Sequence, residues 1–270
     1  MKLSISNIGW DSDKDILVYD LMKKYGFSGL EIAPTRIFKE APYEKLAEAK
    51  QWSENLKEEY GFCVPSMQSI WYGRRERLFG DEKERDVLSA YTKRAIDFAV
   101  AIGCKNLVFG CPKNRYLIEG AHWEDGISFF REIGNYAYSC GTVIGMEANP
   151  PIYNTNYIND TVSAIKLIKE VDSRGFRLNL DVGAMVENDE DVEILEDNIV
   201  YINHMHISEP NLEIIQKRRL HIDLLQLLKK NHYCEFVSIE VGKREDIQEI
   251  EKSMAYVKDV VYEIEISGNQ

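Results

Sequence analysis

The chain has 270 residues, of which 44% are hydrophobic, and its 45 acidic side chains outnumber the 33 Lys and Arg side chains to give a formal net charge of −12. This composition is that of a globular chain that can bury a large core. The negative charge argues against nucleic acid and anionic membranes as partners, because both repel an acidic surface. The length suits a single domain over residues 1–270, since α/β barrels use about 250 residues as one domain.

The amino-terminal residues do not have the continuous apolar block of a signal peptide, because apolar and polar side chains alternate there and predict a strand. No stretch of the sequence approaches the ~20 apolar residues that span a bilayer. The five cysteines form no C-x-x-C pair, which is typical of reduced core thiols. We therefore expect a cytoplasmic protein without a membrane partner.

Short apolar runs rich in β-branched residues alternate with longer stretches of helical period, a pattern that predicts βα units and a parallel sheet. In chain order, the runs predict eight strands, at residues 2–8, 29–34, 62–68, 106–110, 143–148, 176–182, 202–207 and 236–241. The spacing of the strands leaves room for one crossover helix each time. Eight consecutive units without a linker, and without a G-x-G-x-x-G turn, favour an α/β protein built as a single (β/α)8 TIM barrel over a doubly wound sheet.

Glycines mark the predicted helix ends. Each follows a helical stretch and precedes a predicted strand, where a residue in the left-handed conformation commonly ends a helix. These glycines are Gly26, Gly61, Gly103, Gly141 and Gly175. At the other end, Asn159 or Asp160 is expected to cap the helix that begins at Thr161.

Four ionisable residues lie near the carboxyl ends of the last four predicted strands. They are Glu147, Asp181, His206 and Glu240. Barrel strands are covered on both faces, so such a side chain must be paired or bound to a metal. Active sites lie at this end of a barrel, and three carboxylates with one imidazole suit one divalent ion, with Mn²⁺ preferred and Co²⁺, Mg²⁺ or Zn²⁺ as alternatives. Any one of the four residues, taken alone, could instead be a paired core charge.

The seventh strand contains a second candidate ligand, His204. It lies two residues from His206, so both side chains face the same side of the strand. We choose His206 because it is nearer the loop, and we expect His204 one layer below it. The other histidines, His122, His221 and His232, fall in or beside predicted helices and are expected at the surface.

Five short motifs fall, in order and spacing, where the xylose-isomerase-like barrel superfamily of sugar isomerases and epimerases has strands 2, 5, 6, 7 and 8. The motifs are GLEI at 29–32, GMEANP at 145–150, LDVG at 180–183, HMHIS at 204–208 and SIEV at 238–241. The sequence therefore resembles this superfamily over essentially its whole length. The resemblance implies the same four metal ligands, and it implies that Glu147 and Glu240 exchange protons with the substrate. It also implies a homodimer or a homotetramer.

This chemistry is physically reasonable for a sugar. Removal of a proton next to a carbonyl gives an ene-diolate, which a metal bound to both oxygens stabilises. Return of the proton to the opposite face gives an epimer, whereas return to the neighbouring carbon gives an aldose–ketose isomer. We therefore expect a metal-dependent isomerase or epimerase of a sugar or sugar derivative. A dehydratase of an inosose-like keto-polyol and a non-catalytic carbohydrate-binding barrel are the alternatives.

Two positions depart from the ketose 3-epimerase pattern. Ala184 stands where those enzymes usually have a histidine, and the segment 210–212 stands where they tend to have an arginine. A free ketohexose is therefore a poor fit as substrate. Ala184 and the net charge also argue against the apurinic endonuclease branch.

Further candidates for substrate contacts lie in strands 2 and 3 and in the loops after strands 4 and 5. Lys113 and Arg115 form a cationic island that is expected to bind an anionic group of the substrate, with a solvated loop as the alternative. Glu31, Gln68 and Asn149 are expected to line the cavity, with hydrogen-bonded polar groups of the core as the alternative. The aromatic and basic segment 70–80 predicts either a lid or a packed Ω-loop.

Overall fold

Eight parallel strands form one sheet that curls into a nearly closed barrel in the computed structural model, which describes residues 1–266. The strands are β1 (Lys2–Ser6), β2 (Gly29–Glu31), β3 (Ser66–Met67), β4 (Asn106–Phe109), β5 (Ile144–Glu147), β6 (Phe176–Asp181), β7 (Ile202–Ile207) and β8 (Phe236–Ile239). Their order is β2-β1-β8-β7-β6-β5-β4-β3, and isolated parallel bridges from Gly29 to Cys63 and from Ile32 to Met67 bring β2 beside β3. The predicted (β/α)8 barrel is confirmed, and residues 267–270 of the predicted domain lie outside the described residues.

Helices lead from one strand to the next around the barrel. Within residues 1–266 the α-helices are α1 (Asp15–Tyr25), α2 (Pro34–Ile37), α3 (Leu46–Tyr60), α4 (Glu82–Ala101), α5 (Trp123–Ser139), α6 (Thr161–Val171), α7 (Val182–Glu187), α8 (Arg219–Lys230) and α9 (Ile247–Ile266). The short helices α2 and α7 follow β2 and β6 at the carboxyl ends of the strands, here called the mouth of the barrel. No described helix combines the length and the apolar character that crossing a membrane requires.

Several strands are shorter than the apolar runs predict. β2 ends at Glu31 and β8 at Ile239, although Ile32 and Val241 beyond them are fully buried. Both side chains belong to the hydrophobic core, and burial in the core does not require the regular hydrogen bonds of a strand. Apolar runs therefore overestimate strand length at the carboxyl ends.

The inside of the barrel contains buried polar side chains. Asn106 of β4 donates to Ser66 of β3 at 3.0 Å and to Asn179 of β6 at 3.3 Å. A bond from β4 to β6 passes over a strand, so these side chains face the interior. Ser4 and Ser238 are also fully buried, and their hydroxyls have no hydrogen-bond partner among the described residues. Because side chains alternate along a strand, residues two positions nearer the mouth also face inward.

Candidate metal centre

Four ionisable side chains meet at the mouth of the barrel. Parallel pairing places Asp181 of β6 beside His206 of β7, and Glu147 is the last residue of β5. Glu240 follows β8 directly, and its backbone N–H donates to the carbonyl of Ile207 at 3.0 Å. One ligand atom from each of the four side chains lies within 4.8 Å of the others. The structure thus brings together the four residues that the sequence predicts as metal ligands.

The imidazole of His206 faces the three carboxylates with one nitrogen and Glu31 with the other. Its Nδ1 lies 3.2 Å from Glu147 Oε2, 3.2 Å from Glu240 Oε2 and 3.9 Å from Asp181 Oδ2. Its Nε2 lies 3.0 Å from Glu31 Oε2. Glu31 can hold a proton on Nε2, so Nδ1 can bind a metal ion when the ion displaces the proton that Nδ1 shares with the carboxylates.

The acidic groups of this centre are buried and repel one another. Burial, together with the charges of Glu147 and Glu240, raises the pKa of Asp181 to about 8. Burial also raises the pKa of Glu240. Burial alone would lower the pKa of His206, but the carboxylates of Glu31 and Glu240 outweigh it and raise that pKa well above its usual range. A divalent cation among these oxygens would relieve the repulsion.

The donor set fits a divalent metal ion. One imidazole nitrogen and three carboxylates are hard to borderline ligands, of the kind that bind Mn²⁺, Mg²⁺, Co²⁺ or Zn²⁺. The carboxylate of Asp181 is already oriented, because Oδ1 accepts from the N–H of Ala184 at 2.6 Å and Oδ2 accepts from the hydroxyl of Ser208 at 2.6 Å. Four side chains would leave coordination positions open for oxygens of a bound sugar.

Glu31 and Gln68, which are expected to line the substrate cavity, instead support His206. Glu31 is fully buried, and its Oε2 lies 3.1 Å from His204 Nε2 and 3.0 Å from His206 Nε2. Burial opposes ionisation of Glu31, but the two imidazoles outweigh it and lower the pKa of this carboxyl. Gln68 Nε2 donates to Ser6 Oγ at 2.6 Å and to Glu31 Oε1 at 3.2 Å. Both carboxylate oxygens of Glu31 and the amide nitrogen of Gln68 are thus engaged with the protein.

Arg115 and Asn149 orient Glu147. The guanidinium of Arg115 is fully buried, and it donates to the carbonyl of Glu147 at 2.9 Å and to Asn149 Oδ1 at 2.8 Å. Asn149 Nδ2 donates in turn to Glu147 Oε1 at 3.0 Å. Burial lowers the pKa of Arg115 to about 10, so the group remains charged at neutral pH. The geometry therefore leaves only Lys113, which is exposed, to bind an anion from this loop.

Three further side chains lie beside the centre without having been predicted from the sequence. Asn179 Nδ2 donates to Glu147 Oε2 at 3.0 Å, and Ser208 donates to Asp181. Each lies two residues along the chain from a predicted ligand, so the period of a strand could have indicated both. Tyr153 lies in the loop after β5, where burial and the charge of Asp181 raise its pKa to about 12. No pattern in the sequence marks Tyr153.

Comparison with protein families gives one match over most of the chain. The family model described as xylose isomerase-like TIM barrel matches residues 19–260. This match confirms the resemblance drawn from the motifs. Among curated proteins, no sequence matches the chain at a significant level.

Solved structures of the same fold include sugar epimerases. The 3-keto-D-glucoside 4-epimerase of E. coli is 19% identical, with a TM-score of 0.75 and coverage of 96% of this chain and 99% of that one. The D-psicose 3-epimerase of Clostridium cellulolyticum H10 is 17% identical, with a TM-score of 0.76 and coverage of 98% and 99%. The IOLI protein, described with a bound zinc atom, is 16% identical, with a TM-score of 0.72 and coverage of 98% and 96%. At these identities the likeness shows the fold alone.

Proposed function

Because the chain belongs to the xylose isomerase-like TIM-barrel family, we propose that it is a divalent-metal-dependent enzyme that isomerises or epimerises a sugar or a sugar derivative. The observation that carries this proposal is the convergence of His206 and three carboxylates, whose ligand atoms lie within 4.8 Å of one another at the mouth. Epimerases among the solved structures of this fold support the reaction class.

The proposed ligands of the ion are the carboxylates of Glu147, Asp181 and Glu240 and the Nδ1 atom of His206. When bound, the ion supplies positive charge that stabilises an ene-diolate on two adjacent oxygens of the substrate. Glu31 holds a proton of the imidazole on Nε2, so that Nδ1 is the nitrogen that would give up its proton to bind the ion. We favour Mn²⁺, because the set combines hard oxygen donors with a single imidazole.

Glu147 and Glu240 are the proposed proton carriers. They lie at the ends of β5 and β8, which β6 and β7 separate in the sheet, so their carboxylates approach the centre from different sides. One carboxylate takes a proton from the carbon next to the carbonyl, and the other returns it. The hydrogen bond from Asn149 fixes the carboxylate of Glu147 in the orientation that this transfer requires.

The substrate proposed here is a sugar derivative instead of a free ketohexose. Ala184 is buried, and its N–H binds Asp181, so this position offers no side-chain donor to a substrate. In the loop after β7, the N–H of Asn211 donates to the hydroxyl of Tyr153 at 2.9 Å. Tyr153 thus stands beside the carboxylates where a substrate would enter. The glycoside named for the E. coli epimerase is consistent with a derivative.

Metal analysis and solvent-deuterium exchange test the proposal. The purified protein is expected to contain one divalent ion per chain and, with its sugar, to place deuterium from solvent on carbon without loss of water. Loss of water from the sugar would instead identify the dehydratase. A protein that binds a sugar but neither holds a metal nor exchanges deuterium would be the non-catalytic carbohydrate-binding barrel.

Glu240→Gln is the variant that tests the proton-transfer role. We expect it to abolish turnover and deuterium incorporation and to leave the fold intact, because the amide cannot accept a proton. Glu48→Gln is the matched control, since Glu48 is an exposed residue of α3, and it should retain full activity. Wild-type exchange in the Glu240 variant would remove this residue from the mechanism.

A further inference from the structure

A cavity of about 410 Å³ lies at the edge of the mouth, between the loops after β2 and β3 and the outer helix α4. We call it the rim cavity. Its charged lining residues are three cations, Lys39, Arg74 and Arg94, and one anion, Glu44. The net charge of the chain is −12, so the charge of the rim cavity is opposite in sign to the charge of the molecule as a whole.

Two arginines of the rim cavity are held on one aromatic ring. The Cζ atoms of Arg74 and Arg94 lie 4.8 Å and 5.4 Å from the ring centroid of Tyr91. Tyr91 packs edge-on against the ring of Tyr43 at 5.0 Å, and the buried hydroxyl of Tyr43 donates to the carbonyl of Ile70 at 2.8 Å. Stacking restrains both guanidinium groups before any ligand arrives, which lowers the entropy cost of binding.

The three cations of the rim cavity are paired to different degrees. The Nη1 atom of Arg94 is 3.6 Å from Glu44 Oε1, and both side chains are at least half exposed, so solvent screens this pair. The exposed Lys39 has no ion pair or hydrogen bond among the described residues. Arg74 is paired with Glu76 through Nε at 3.0 Å and through Nη2, while its Nη1 has no hydrogen bond within residues 1–266. Lys39 and Arg94 therefore have donors free for a ligand, and Arg74 has one free nitrogen.

A second cavity lies beside the rim cavity. It has a volume of about 500 Å³, shares Tyr72 and Arg74 with the rim cavity, and also contacts Ser69, Cys111 and Lys113. Ser69 follows Gln68, whose side chain donates to Glu31, and Cys111 follows Gly110. A methyl group on Gly110 would lie 3.0 Å from Glu147 Oε1, so the chain that lines the second cavity continues directly into the surroundings of the proposed ligands. The rim cavity and the second cavity thus lie side by side on the loops that leave the metal centre.

We propose that the rim cavity binds a phosphoryl dianion, through Lys39, Arg74 and Arg94. Arginine forks match phosphate oxygens, and two guanidinium groups with one ammonium group offer donors to the several acceptor oxygens of a phosphoryl group. The phosphoryl group belongs either to a phosphorylated sugar substrate or to free phosphate that acts as an effector. The first source deepens the proposed function and rests on it, whereas the second does not.

Calorimetric titration with inorganic phosphate at low ionic strength tests the site. The wild-type protein is expected to bind one phosphate per chain, and added salt should weaken binding. Arg94→Gln and Lys39→Gln should each weaken it by about tenfold, the loss expected for one charge-assisted contact. Lys83→Gln is the matched control, because Lys83 is an exposed cation on the same helix α4 outside the cavity. No binding by the wild type, or equal weakening in the control, would overturn the proposal.

Competition with a ketose monophosphate separates the two sources. If the sugar phosphate binds more tightly than phosphate, loses that gain in Arg94→Gln and is displaced by phosphate, the group belongs to the substrate. If phosphate changes the turnover of an unphosphorylated sugar without competing with it, the group is an effector. Failure of the proposed function would appear separately, as absent metal and absent deuterium exchange, and would leave binding of inorganic phosphate unchanged.

Discussion

The side chain of Glu31 determines which nitrogen of His206 is available for a metal. It lies on the side of the imidazole opposite Glu147 and Glu240, where it accepts the Nε2 proton. A fully buried carboxylate between two imidazoles keeps its charge because both attract it. The residue that the sequence offers as a substrate contact is therefore a positioning residue for the proposed metal ligand.

Sequence patterns identify the four proposed ligands more readily than their supports. Glu147 and Asp181 interrupt apolar strands near a loop, and that position is visible in a sequence because buried charges are rare. Gln68 and Arg115 are polar residues at the same end of the barrel, but their partners are groups distant in the chain. A sequence does not distinguish a polar side chain that is free to bind a ligand from one that is already hydrogen-bonded within the protein.

Gly110→Ala is expected to impair catalysis with little effect on folding. The new Cβ would lie 3.0 Å from Glu147 Oε1 and 3.3 Å from Asn149 Oδ1, which is close enough to displace the carboxylate. We expect kcat to fall by about tenfold or more, because small displacements of a reacting group are costly, while Tm stays within a few degrees. Kinetics and thermal unfolding measured together check this. Unchanged kcat would show that Glu147 does not need its present position.

Arg115→Met tests whether the buried guanidinium serves the fold or the substrate. The substitution leaves the carbonyl of Glu147 and the amide oxygen of Asn149 without their donor, so we expect the free energy of unfolding to fall by about 3 kcal/mol. Lys113→Met, on the same turn but exposed, should change it by less than about 0.5 kcal/mol. Denaturant unfolding measures both. Similar stability of the two variants would contradict the structural role given to Arg115.

Helix ends follow the glycine pattern at four of the five expected positions. Gly26, Gly61, Gly103 and Gly141 have φ between +74° and +78°, the left-handed conformation in which glycine is favoured. The expectation for Gly175 is wrong. Helix α6 ends at Val171, and Asp172 follows it in the left-handed conformation with φ of +47°. Gly175 is small because a Cβ there would lie 2.1 Å from a carbonyl of α5. The sequence shows that a glycine is required, but not which of two physical reasons requires it.

The contact between α8 and α9 contains a histidine that titrates on unfolding. His221, expected at the surface, is buried, and its Nδ1 lies 3.1 Å from the hydroxyl of Tyr256. Burial lowers its pKa from 6.5 to about 4. The folded chain therefore binds fewer protons than the unfolded chain between these values, and this group reduces stability as the pH falls through that window.

The expected size of this effect is a loss of about 2 kcal/mol in the free energy of unfolding between pH 7.5 and pH 5. Denaturant titrations at the two pH values measure it, and His221→Leu should remove most of it. His122→Leu, which changes an exposed histidine, should retain the full pH dependence. An undiminished loss in the His221 variant would show that other groups cause it.

The barrel as a whole could be predicted because it repeats one unit eight times, and each repeat adds support to the same architecture. The bounds of single strands are harder to predict than the architecture. For β3, the predicted run covers 62–68, but only Ser66–Met67 forms a regular strand. Two isolated bridges, instead of a continuous ladder of hydrogen bonds, join β2 to β3. Closure of the sheet depends on contacts between distant parts of the chain, which no local pattern contains.

Metal binding is expected to stabilise the whole molecule. Mn²⁺ added to metal-free protein at about 100 times its Kd should raise the free energy of unfolding by about 2.7 kcal/mol, which corresponds to a Tm increase of roughly 5–10 °C for a chain of this size. His206→Gln should lose most of this increase, whereas Glu48→Gln should keep it. Thermal unfolding with and without Mn²⁺ measures this increase in Tm. An identical Tm under both conditions would argue against an intrinsic metal site.

β2 and β3 are paired less regularly than the other neighbouring strands of the barrel, because only isolated bridges join them. The loops that follow these two strands also line the rim cavity, so a ligand bound there would contact both sides of the contact between β2 and β3. Ligand binding in the rim cavity and the pairing of β2 with β3 are then thermodynamically linked, because whatever stabilises one stabilises the other. In this protein a strand contact made by isolated bridges and a cationic cavity lie at the same part of the barrel's circumference.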